Sequence, residues 1–384
     1  MVSHSKICIV GPSKRFLSGI SYYTIRLANA MSSKKDVSVV CFRQLLPTFL
    51  FPGKSHVGKN ISNLNFSPGI PVFDGMDYNN PLTWIQAFRF IITHKPDIII
   101  LQWWTSSVAH MQLLLKIFAN LSYKPKIIVE FHEVVDPLEE SILPIRVYSK
   151  VTGKTLRKNL VAYITHSESD KRLVAERYSI SPDKIHVISH GLYDQYGKLL
   201  DLKEARKSLS INDEFVILSF GLIRKYKGIP YLISAFEQLP ANILEKSRLL
   251  IVGEVWEDRN ELLNRIKDST LRERITLVDE YIPDERVSLY FSAADVVVLP
   301  YLRASQSGIA HIAMSFGKPV VVSEVGGLRE SMANYEGTLF VPPGDVSSIC
   351  EAIPKFLEKR KHYEAPDQKW DKVINSYIEL IETV

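Results

Sequence analysis

The chain has 384 residues, of which 46% are hydrophobic and 23% charged. This length favours two domains, and the composition excludes a disordered chain, a collagen and a coiled coil. The net charge of +5 is uneven, because residues 1–190 carry 23 Lys and Arg against 13 Asp and Glu, whereas residues 191–384 carry 24 against 29. A basic half and a mildly acidic half indicate two surfaces that meet different partners.

The cysteines and the apolar runs indicate the cellular compartment in which the protein is expected. Cys8, Cys41 and Cys350 have neither a disulfide framework nor metal-ligand spacing, which is typical of a reducing compartment. The first residues lack the apolar core of a signal peptide, and no apolar run reaches the ~18 residues of a membrane span. We therefore expect a cytoplasmic protein and leave open a peripheral position at the inner face of a membrane.

Short apolar runs alternate with longer amphipathic segments in two series. The first series comprises Lys6–Val10, Val37–Phe42, Ile98–Leu101, Ile127–Phe131 and Val161–Ile164. The second comprises Phe215–Phe220, Leu249–Val252, Ile275–Val278, Val296–Leu299 and Val320–Val322. Continuous Val/Ile/Leu strands between helices indicate parallel sheets covered on both faces. Two doubly wound α/β domains are predicted, with a (β/α)8 barrel as the competing topology.

The chain ends in a predicted amphipathic helix. Its apolar residues recur at spacings of three and four: Trp370, Val373, Ile374, Tyr377, Ile378 and Ile381. Such a stripe needs a surface to pack against. The predicted divisions are residues 1–192, residues 193–365, and a helix at 366–384 that packs back on the body.

Two features of the first half are candidate site elements. Gly19 belongs to a loop between the first strand and a helix, where backbone N–H groups favour an anion; the alternative is a simple turn residue. His132 follows a strand, and the carboxyl end of a strand is where ligands bind in open α/β sheets. The alternative for His132 is a structural histidine.

The second half contains a sharper cluster. Arg224, Lys225 and Lys227 follow the strand that ends at Phe220. Arginine grips phosphate oxygens in pairs and lysine acts as a point charge, so this cluster predicts a phosphate site rather than a solvated basic loop.

Small residues mark a later helix start. Ser307, Gly308 and Ile309 would let backbone N–H groups approach a diphosphate, or form an ordinary N-cap. Glu330 follows two glycines and could simply complement a helix dipole. Nothing in the sequence has the spacing of a zinc or iron site.

In their order along the chain, these residues resemble the retaining glycosyltransferases of family 4. The residues that carry the resemblance are Gly19, His132, Ser167, His190, Gly191, Gly221, Lys227, Gly228, Gly253 and the run Ser305–Glu330. The last run is the most specific, with the form S-x-S-G-I-A followed by G-K-P-V-V-V-S-x-V-G-G-L-x-E. The resemblance implies the GT-B fold, in which two Rossmann-like domains face a cleft. It also implies an acceptor-binding first domain, a second domain that binds a nucleotide-diphosphate sugar, and no cofactor or catalytic metal.

The resemblance also implies roles for single residues. His132, Arg224 and Lys227 would be catalytic, with His132 against the donor sugar and the two cations on the leaving diphosphate. The donor-binding residues would be Gly19, Gly221, Gly253, Tyr281, Ile282, Ser307, Gly308, Ile309 and Glu330.

The chain departs from the family pattern at three positions. The paired glutamates common in the family are replaced by Ala304 and Ile312, and an arginine by Leu222. The leading interpretation is a hexosyltransferase of polysaccharide biosynthesis that acts on a carbohydrate or lipid-linked hydroxyl. The alternatives are an inactive nucleotide-sugar-binding or partner subunit of the same fold, and a nucleotide-sugar 2-epimerase.

The basic first half raises the question of a further partner. Nucleic acid is not expected, because no recognition motif is present. An anionic membrane surface is the open possibility, through two features. These are the loop Leu45–Phe51 and the cations Lys150, Lys154, Arg157 and Lys158. The alternative for the loop is that its apolar side chains pack inside the protein.

Overall fold

The computed structural model describes residues 5–12, 14, 19–44, 64–135, 143–357 and 361–384. The chain divides into two compact units. The first extends to Gly191 and also contains the C-terminal segment Gln368–Val384, whereas the second comprises Leu192–Asp367.

The first unit is built on a seven-stranded parallel sheet. Its strands are β1 (Lys6–Pro12), β2 (Asp36–Gln44), β3 (Val72–Asp77), β4 (Ile98–Trp103), β5 (Lys126–Phe131), β6 (Ala162–Thr165) and β7 (Ile185–Val187). Their spatial order is β3-β2-β1-β4-β5-β6-β7. The central strands read as continuous apolar runs because helices cover both faces of the sheet.

Alternate residues of β1 enter two different cores. Cys8 and Val10 pack in the core on one face of the sheet, and Ile7 and Ile9 in the core on the other. The helices that supply these cores are α1 (Gly19–Ser32), α2 (Pro81–His94), α3 (Ala109–Ser122), α4 (Leu143–Leu156) and α5 (Glu168–Tyr178). Helix α1 belongs to the Ile7 side, and α2 and α3 to the Cys8 side.

The second unit repeats this plan with a six-stranded parallel sheet. Its strands are β8 (Phe215–Phe220), β9 (Ser247–Val252), β10 (Ile275–Val278), β11 (Val296–Leu299), β12 (Val320–Ser323) and β13 (Thr338–Val341). Its helices are α6 (Leu202–Ser208), α7 (Ile229–Glu237), α8 (Ala241–Leu244), α9 (Arg259–Lys267), α10 (Asp284–Ala293), α11 (Gly308–Ser315), α12 (Leu328–Met332) and α13 (Val346–Ala352). The spatial order is β10-β9-β8-β11-β12-β13. The connections therefore reverse direction between β8 and β11, where an open sheet forms a crevice at the carboxyl ends of its strands.

The predicted C-terminal helix is confirmed as α14 (Trp370–Thr383). Its apolar stripe, including Trp370, Ile374 and Tyr377, is buried in the core of the first unit on the side of α1. Burying each such side chain contributes roughly 1.5–3 kcal/mol, so α14 is a structural part of the first unit.

The fold-class prediction is confirmed, since both sheets are open and parallel rather than closed into a barrel. None of the helices in the described part of the chain combines the length and apolarity that crossing a bilayer requires.

Candidate functional site

Two glycines allow three loops of the second unit to meet at the carboxyl ends of β8 and β9. Gly221 has φ +100° and Gly253 has φ +145°, conformations that glycine adopts without strain. A Cβ atom on Gly253 would lie 2.1 Å from the carbonyl oxygen of Gly221, and one on Gly221 would lie 3.0 Å from the side chain of Ile309. The predicted donor residues Gly221, Gly253 and Ile309 are therefore neighbours.

The first two cations of the basic cluster are paired with carboxylates from the loop after β9. The Arg224 Nε atom donates to Glu257 Oε1 at 2.8 Å, and the Lys225 Nζ atom lies 2.9 Å from Asp258 Oδ2. The backbone N–H of Lys225 also donates to Glu257 Oε2 at 2.9 Å. Glu257 thus orients the Arg224 guanidinium, while the Lys225 side chain is three-quarters exposed.

The third cation is bonded towards the start of α11. The Lys227 ammonium donates to the Tyr301 hydroxyl oxygen at 2.6 Å, and the Tyr301 hydroxyl is 3.2 Å from Ser307 Oγ. Ser307 is the N-cap of α11, and its Oγ accepts from the Ala310 N–H at 3.3 Å. Burial raises the pKa of Tyr301 above its ordinary value, so Tyr301 keeps its proton. We call Lys227, Tyr301 and Ser307 the bonded chain.

The bonded chain brings an ammonium group close to a helix N-terminus. The first N–H groups of a helix have no acceptor within the helix, and they carry partial positive charge. At α11 these groups belong to Gly308, Ile309 and Ala310, of which Ser307 Oγ satisfies the last. An ammonium and backbone N–H groups together suit an anion with several oxygens, such as a diphosphate.

The other predicted donor residues lie outside the bonded chain. Tyr281 and Ile282 follow β10, where Ile282 is buried and Tyr281 half-buried. Glu330 is exposed on the short helix α12. Gly19 is the first residue of α1 in the first unit.

In the first unit, a fully buried carboxylate lies at the carboxyl end of β5. Glu130 Oε1 accepts from the Tyr377 hydroxyl, and Oε2 accepts from Gln102 Nε2 at 3.3 Å. The Tyr23 and Tyr377 hydroxyls are 2.8 Å apart. Burial, followed by the charge of Glu130, raises the pKa of both tyrosines well above the ordinary value. Both phenols therefore remain protonated around this carboxylate.

His132 and His166 follow β5 and β6, and both face this carboxylate. Their Nε2 atoms lie 3.9 Å and 3.7 Å from Glu130 oxygens. The Nδ1 atom of His166 is 2.9 Å from the carbonyl oxygen of Ile188 and must be the donor, because a carbonyl only accepts. Burial is the main cause that lowers the pKa of His132 well below 6.5, and the electrostatic effect of His166 is the second. His132 is therefore a neutral imidazole.

Glu130, His132 and His166 are also a group that could hold a metal ion, since one ligand atom from each lies within 4.8 Å of the others. Sequence spacing did not reveal this group, because its members come from two strands. Both Glu130 oxygens already accept hydrogen bonds. A buried cluster of hydrogen-bonded side chains therefore explains the closeness of these three residues as well as a metal site does.

One of the four cations that the sequence placed in a membrane-binding patch is not at the surface. Arg157 is buried, with its guanidinium carbon 3.7 Å from the centre of the Tyr178 ring, because a planar guanidinium stacks on aromatic faces. Lys150, Lys154 and Lys158 are exposed. The loop Leu45–Phe51 lies outside the described residues.

Four residues of these clusters escaped the sequence interpretation as site residues: Glu130, Glu257, Tyr301 and Tyr377. Each is bonded to a residue far away in sequence, as Lys227 is to Tyr301 across 74 positions. The sequence signal that could have identified Tyr301 is its position directly after a strand. Tyr301 follows β11, which lies beside β8 where the strand order reverses, and ligands bind at the carboxyl ends of the strands at such a point.

Comparison with known proteins shows that two protein families match consecutive parts of the chain. Residues 17–195 match "Glycosyltransferase Family 4", and residues 201–372 match "Glycosyl transferases group 1". An uncharacterized glycosyltransferase of Methanocaldococcus jannaschii is 30% identical over 201 residues, which are 50% of this chain and 50% of that protein. A D-inositol 3-phosphate glycosyltransferase of Catenulispora acidiphila is 27% identical over 203 residues, 50% of this chain and 48% of that protein. The chain spans about half the length of the curated relatives it matches.

Two solved structures are similar over nearly the whole chain. A sucrose-phosphate synthase from Thermosynechococcus elongatus has a TM-score of 0.74 at 18% identity, over 99% of this chain and 98% of that one. HepE from Anabaena, in complex with UDP-glucose, has a TM-score of 0.74 at 18% identity, over 99% and 100%. At this identity the likeness shows the fold, which is the GT-B fold that the sequence resemblance implied.

Proposed function

The chain belongs to the group 1 and family 4 glycosyltransferases, and we propose that it is a retaining hexosyltransferase that moves a sugar from a nucleotide-diphosphate sugar to a hydroxyl acceptor. The observation that carries the proposal is the bonded chain, which holds the Lys227 ammonium near the N-terminus of α11. Preorganised cations and N–H groups stabilise the charge that develops on a departing diphosphate.

The proposed reaction is a same-face substitution. The bond from the anomeric carbon to the phosphate oxygen breaks as the bond to the acceptor oxygen forms, and the leaving phosphate accepts the proton of the acceptor hydroxyl. The proposed work of the protein is positioning and charge stabilisation by Arg224, Lys227 and the backbone N–H groups at Ser307–Ile309. These groups take the part that a metal ion plays in other transferases.

His132 is proposed to orient the donor sugar as a neutral imidazole. Its lowered pKa supports a hydrogen-bonding role and argues against its acting as a general acid near neutral pH. The remaining proposed donor contacts are those of Gly19, Gly253, Tyr281, Ile282 and Glu330.

The partners follow from the same proposal. HepE, which has the same fold, was solved with UDP-glucose, which supports a nucleotide-sugar donor. The proposed acceptor is a carbohydrate or a lipid-linked glycan, presented to a cytoplasmic enzyme at the inner face of a membrane.

A panel of nucleotide sugars tests the proposal. Purified protein would be titrated with UDP-, GDP- and ADP-sugars by calorimetry, and donor hydrolysis and transfer to a hydroxyl acceptor would be followed by mass spectrometry. We expect one donor class to bind and turn over, with the anomeric configuration retained in the NMR spectrum of the product. Absence of binding by every nucleotide and nucleotide sugar would refute the proposal.

A second candidate is an inactive nucleotide-sugar-binding or partner subunit, favoured by Ala304 and Ile312 at the positions of the family glutamates. Losing a charge-assisted hydrogen bond to the ribose would cost about 1.5–3 kcal/mol. Donor binding without hydrolysis or transfer in the same panel would identify it. A 2-epimerase would instead release the epimeric sugar in the absence of an acceptor.

A further inference from the structure

Three neighbouring helices of the first unit expose an unusual number of large apolar side chains. Helix α3 packs against both α2 and α4, on the side of the sheet that carries Cys8 and Val10. The exposed apolar residues are Leu82 and Ile85 on α2, Ile117, Phe118 and Leu121 on α3, and Leu143, Ile145, Val147 and Val151 on α4. We call this surface the helical face. Exposed apolar residues concentrated on one surface mark an interaction site.

The charge of the helical face has one sign. The three helices have 14 residues each and contain no Asp or Glu, although about one residue in nine of the whole chain is acidic. Their exposed cations are Arg89 on α2 and Arg146, Lys150 and Lys154 on α4. Asp136, Glu139 and Glu140 precede α4 in the sequence and lie outside the described residues. The charged groups of the three helices as described are therefore all basic.

Helix α4 shows how these groups are arranged. Leu143, Val147 and Val151 recur every four residues and form one stripe along the helix. Arg146, Lys150 and Lys154 recur with the same spacing and form a second stripe beside it. The opposite side of α4, with Ser149, Gly153 and Leu156, is buried. Exposed apolar side chains flanked by cations are typical of a helix that lies in the interface of an anionic bilayer.

We propose that the helical face docks on an anionic lipid bilayer. The apolar stripe enters the boundary between headgroups and acyl chains, while the cations contact lipid phosphates at the same depth. The inference rests on the proposed function, because docking would bring the enzyme to a lipid-borne acceptor. Its test, however, does not require sugar transfer.

Other occupants fit the face less well. In a symmetric dimer through this surface, cations would meet cations with no carboxylate on the three helices to pair with them. Nucleic acid would engage the cations but would leave Leu121 and Leu143, which are 79% and 69% exposed, without an apolar partner. A bilayer satisfies both groups.

Vesicle flotation of the full-length protein tests the proposal. The probes are vesicles of phosphatidylcholine alone and of phosphatidylcholine mixed with phosphatidylglycerol, each at low and high salt. We expect binding to the anionic vesicles that weakens with salt, because salt screens the lysine–phosphate attraction. The double variant Lys150→Glu/Lys154→Glu should lower the partition coefficient at least about tenfold.

A matched control separates local charge from net charge. Lys203 and Lys207 are exposed on α6 of the second unit with the same four-residue spacing. The variant Lys203→Glu/Lys207→Glu changes the net charge equally and should retain vesicle binding within about twofold. Equal losses in the two double variants would overturn the assignment to the helical face.

The apolar stripe is tested separately. Leu143→Asn/Val147→Asn/Val151→Asn should weaken binding at high salt as well, with circular dichroism unchanged because these side chains are exposed. Wild-type protein that stays with neither vesicle type would refute the proposal. Light scattering that shows a dimer converted to a monomer by this variant, without vesicle binding, would assign the face to self-association. Failure of sugar transfer would leave all these results intact, so the two proposals fail separately.

Discussion

The Lys227 ammonium and the Tyr301 ring are in double contact: Nζ donates to the hydroxyl oxygen at 2.6 Å and lies 3.9 Å from the ring centre. The hydrogen bond and the cation–π contact hold a flexible side chain in one position. Because β8 and β11 are adjacent, the loops that carry the two residues meet at the reversal of the sheet. The bonded chain is thus a consequence of strand order.

The first prediction concerns Lys227. Lys227→Ala should lower kcat/KM for the nucleotide-sugar donor by about 10²–10³, the usual effect of losing one preorganised donor to a developing charge. Tyr301→Phe keeps the ring and removes the hydroxyl, so we expect a smaller loss of about fivefold. Steady-state kinetics with the best donor of the panel measures both.

Lys225 supplies the control for Lys227. Its ammonium is paired with Asp258 and mostly exposed, so Lys225→Ala should change kcat/KM by no more than about threefold. Equal losses for Lys225→Ala and Lys227→Ala would contradict the role of the bonded chain.

A second prediction concerns Gly228, which ends the turn that holds Lys227. Its φ is +67°, and a Cβ atom would lie 2.0 Å from the carbonyl oxygen of Pro300. Gly228→Ala should therefore lower the free energy of unfolding by about 2–4 kcal/mol. Gly197 also has a positive φ, +78°, but with nothing within 4 Å of a Cβ atom, so Gly197→Ala should cost only about 1–2 kcal/mol. Urea titrations that gave the two variants the same midpoint would rule out the close approach.

The third prediction concerns the docking of α14. Tyr377→Phe removes a donor from the buried Glu130 carboxylate and should destabilise the first unit by about 1–3 kcal/mol. Because the partners are in direct contact, Tyr377→Phe and Glu130→Gln should be non-additive in a double-mutant cycle. The control is Tyr335→Phe, which removes a hydroxyl that donates a hydrogen bond to the backbone carbonyl oxygen of Lys318 in the second unit. Its effect on stability should be additive with that of Glu130→Gln. Additivity in both cycles would exclude the Glu130–Tyr377 coupling.

A fourth prediction concerns stability at mildly acidic pH. Burial lowers the pKa of His110 from 6.5 to about 4, and its ring packs against Tyr78 and Trp84. Between about pH 6.5 and 4 the unfolded chain binds the proton and the folded chain does not, so stability must fall as the pH falls through this window. His110→Gln should reduce the loss measured between pH 7 and pH 5 by about 1–2 kcal/mol. An unchanged loss in urea titrations at the two pH values would be inconsistent with a neutral, half-buried His110.

The apolar runs predicted the inner strands well and missed three of the four edge strands. Phe215–Phe220 and Val296–Leu299 are strands with the predicted bounds, because an inner strand is buried on both faces and reads as a continuous apolar run. β3, β7 and β13 were not predicted, and all three lie at sheet edges, whereas the fourth edge strand, β10, was predicted with its observed bounds. β3 contains Asp74 and Gly75 and is only partly buried, since an edge strand has less core to meet.

The sequence by itself determined the fold class, the C-terminal helix, the family resemblance and the cation cluster, because each is written in local periodicity or in short motifs. Only the tertiary structure decided which cations are paired with carboxylates, that Arg157 is buried, and that Tyr301 receives Lys227. It also decided that Tyr377 reaches Glu130 across 247 positions. The physical reason is that partner choice depends on strand order and on which helix covers which face, and these are set by packing the whole unit rather than by neighbours along the chain.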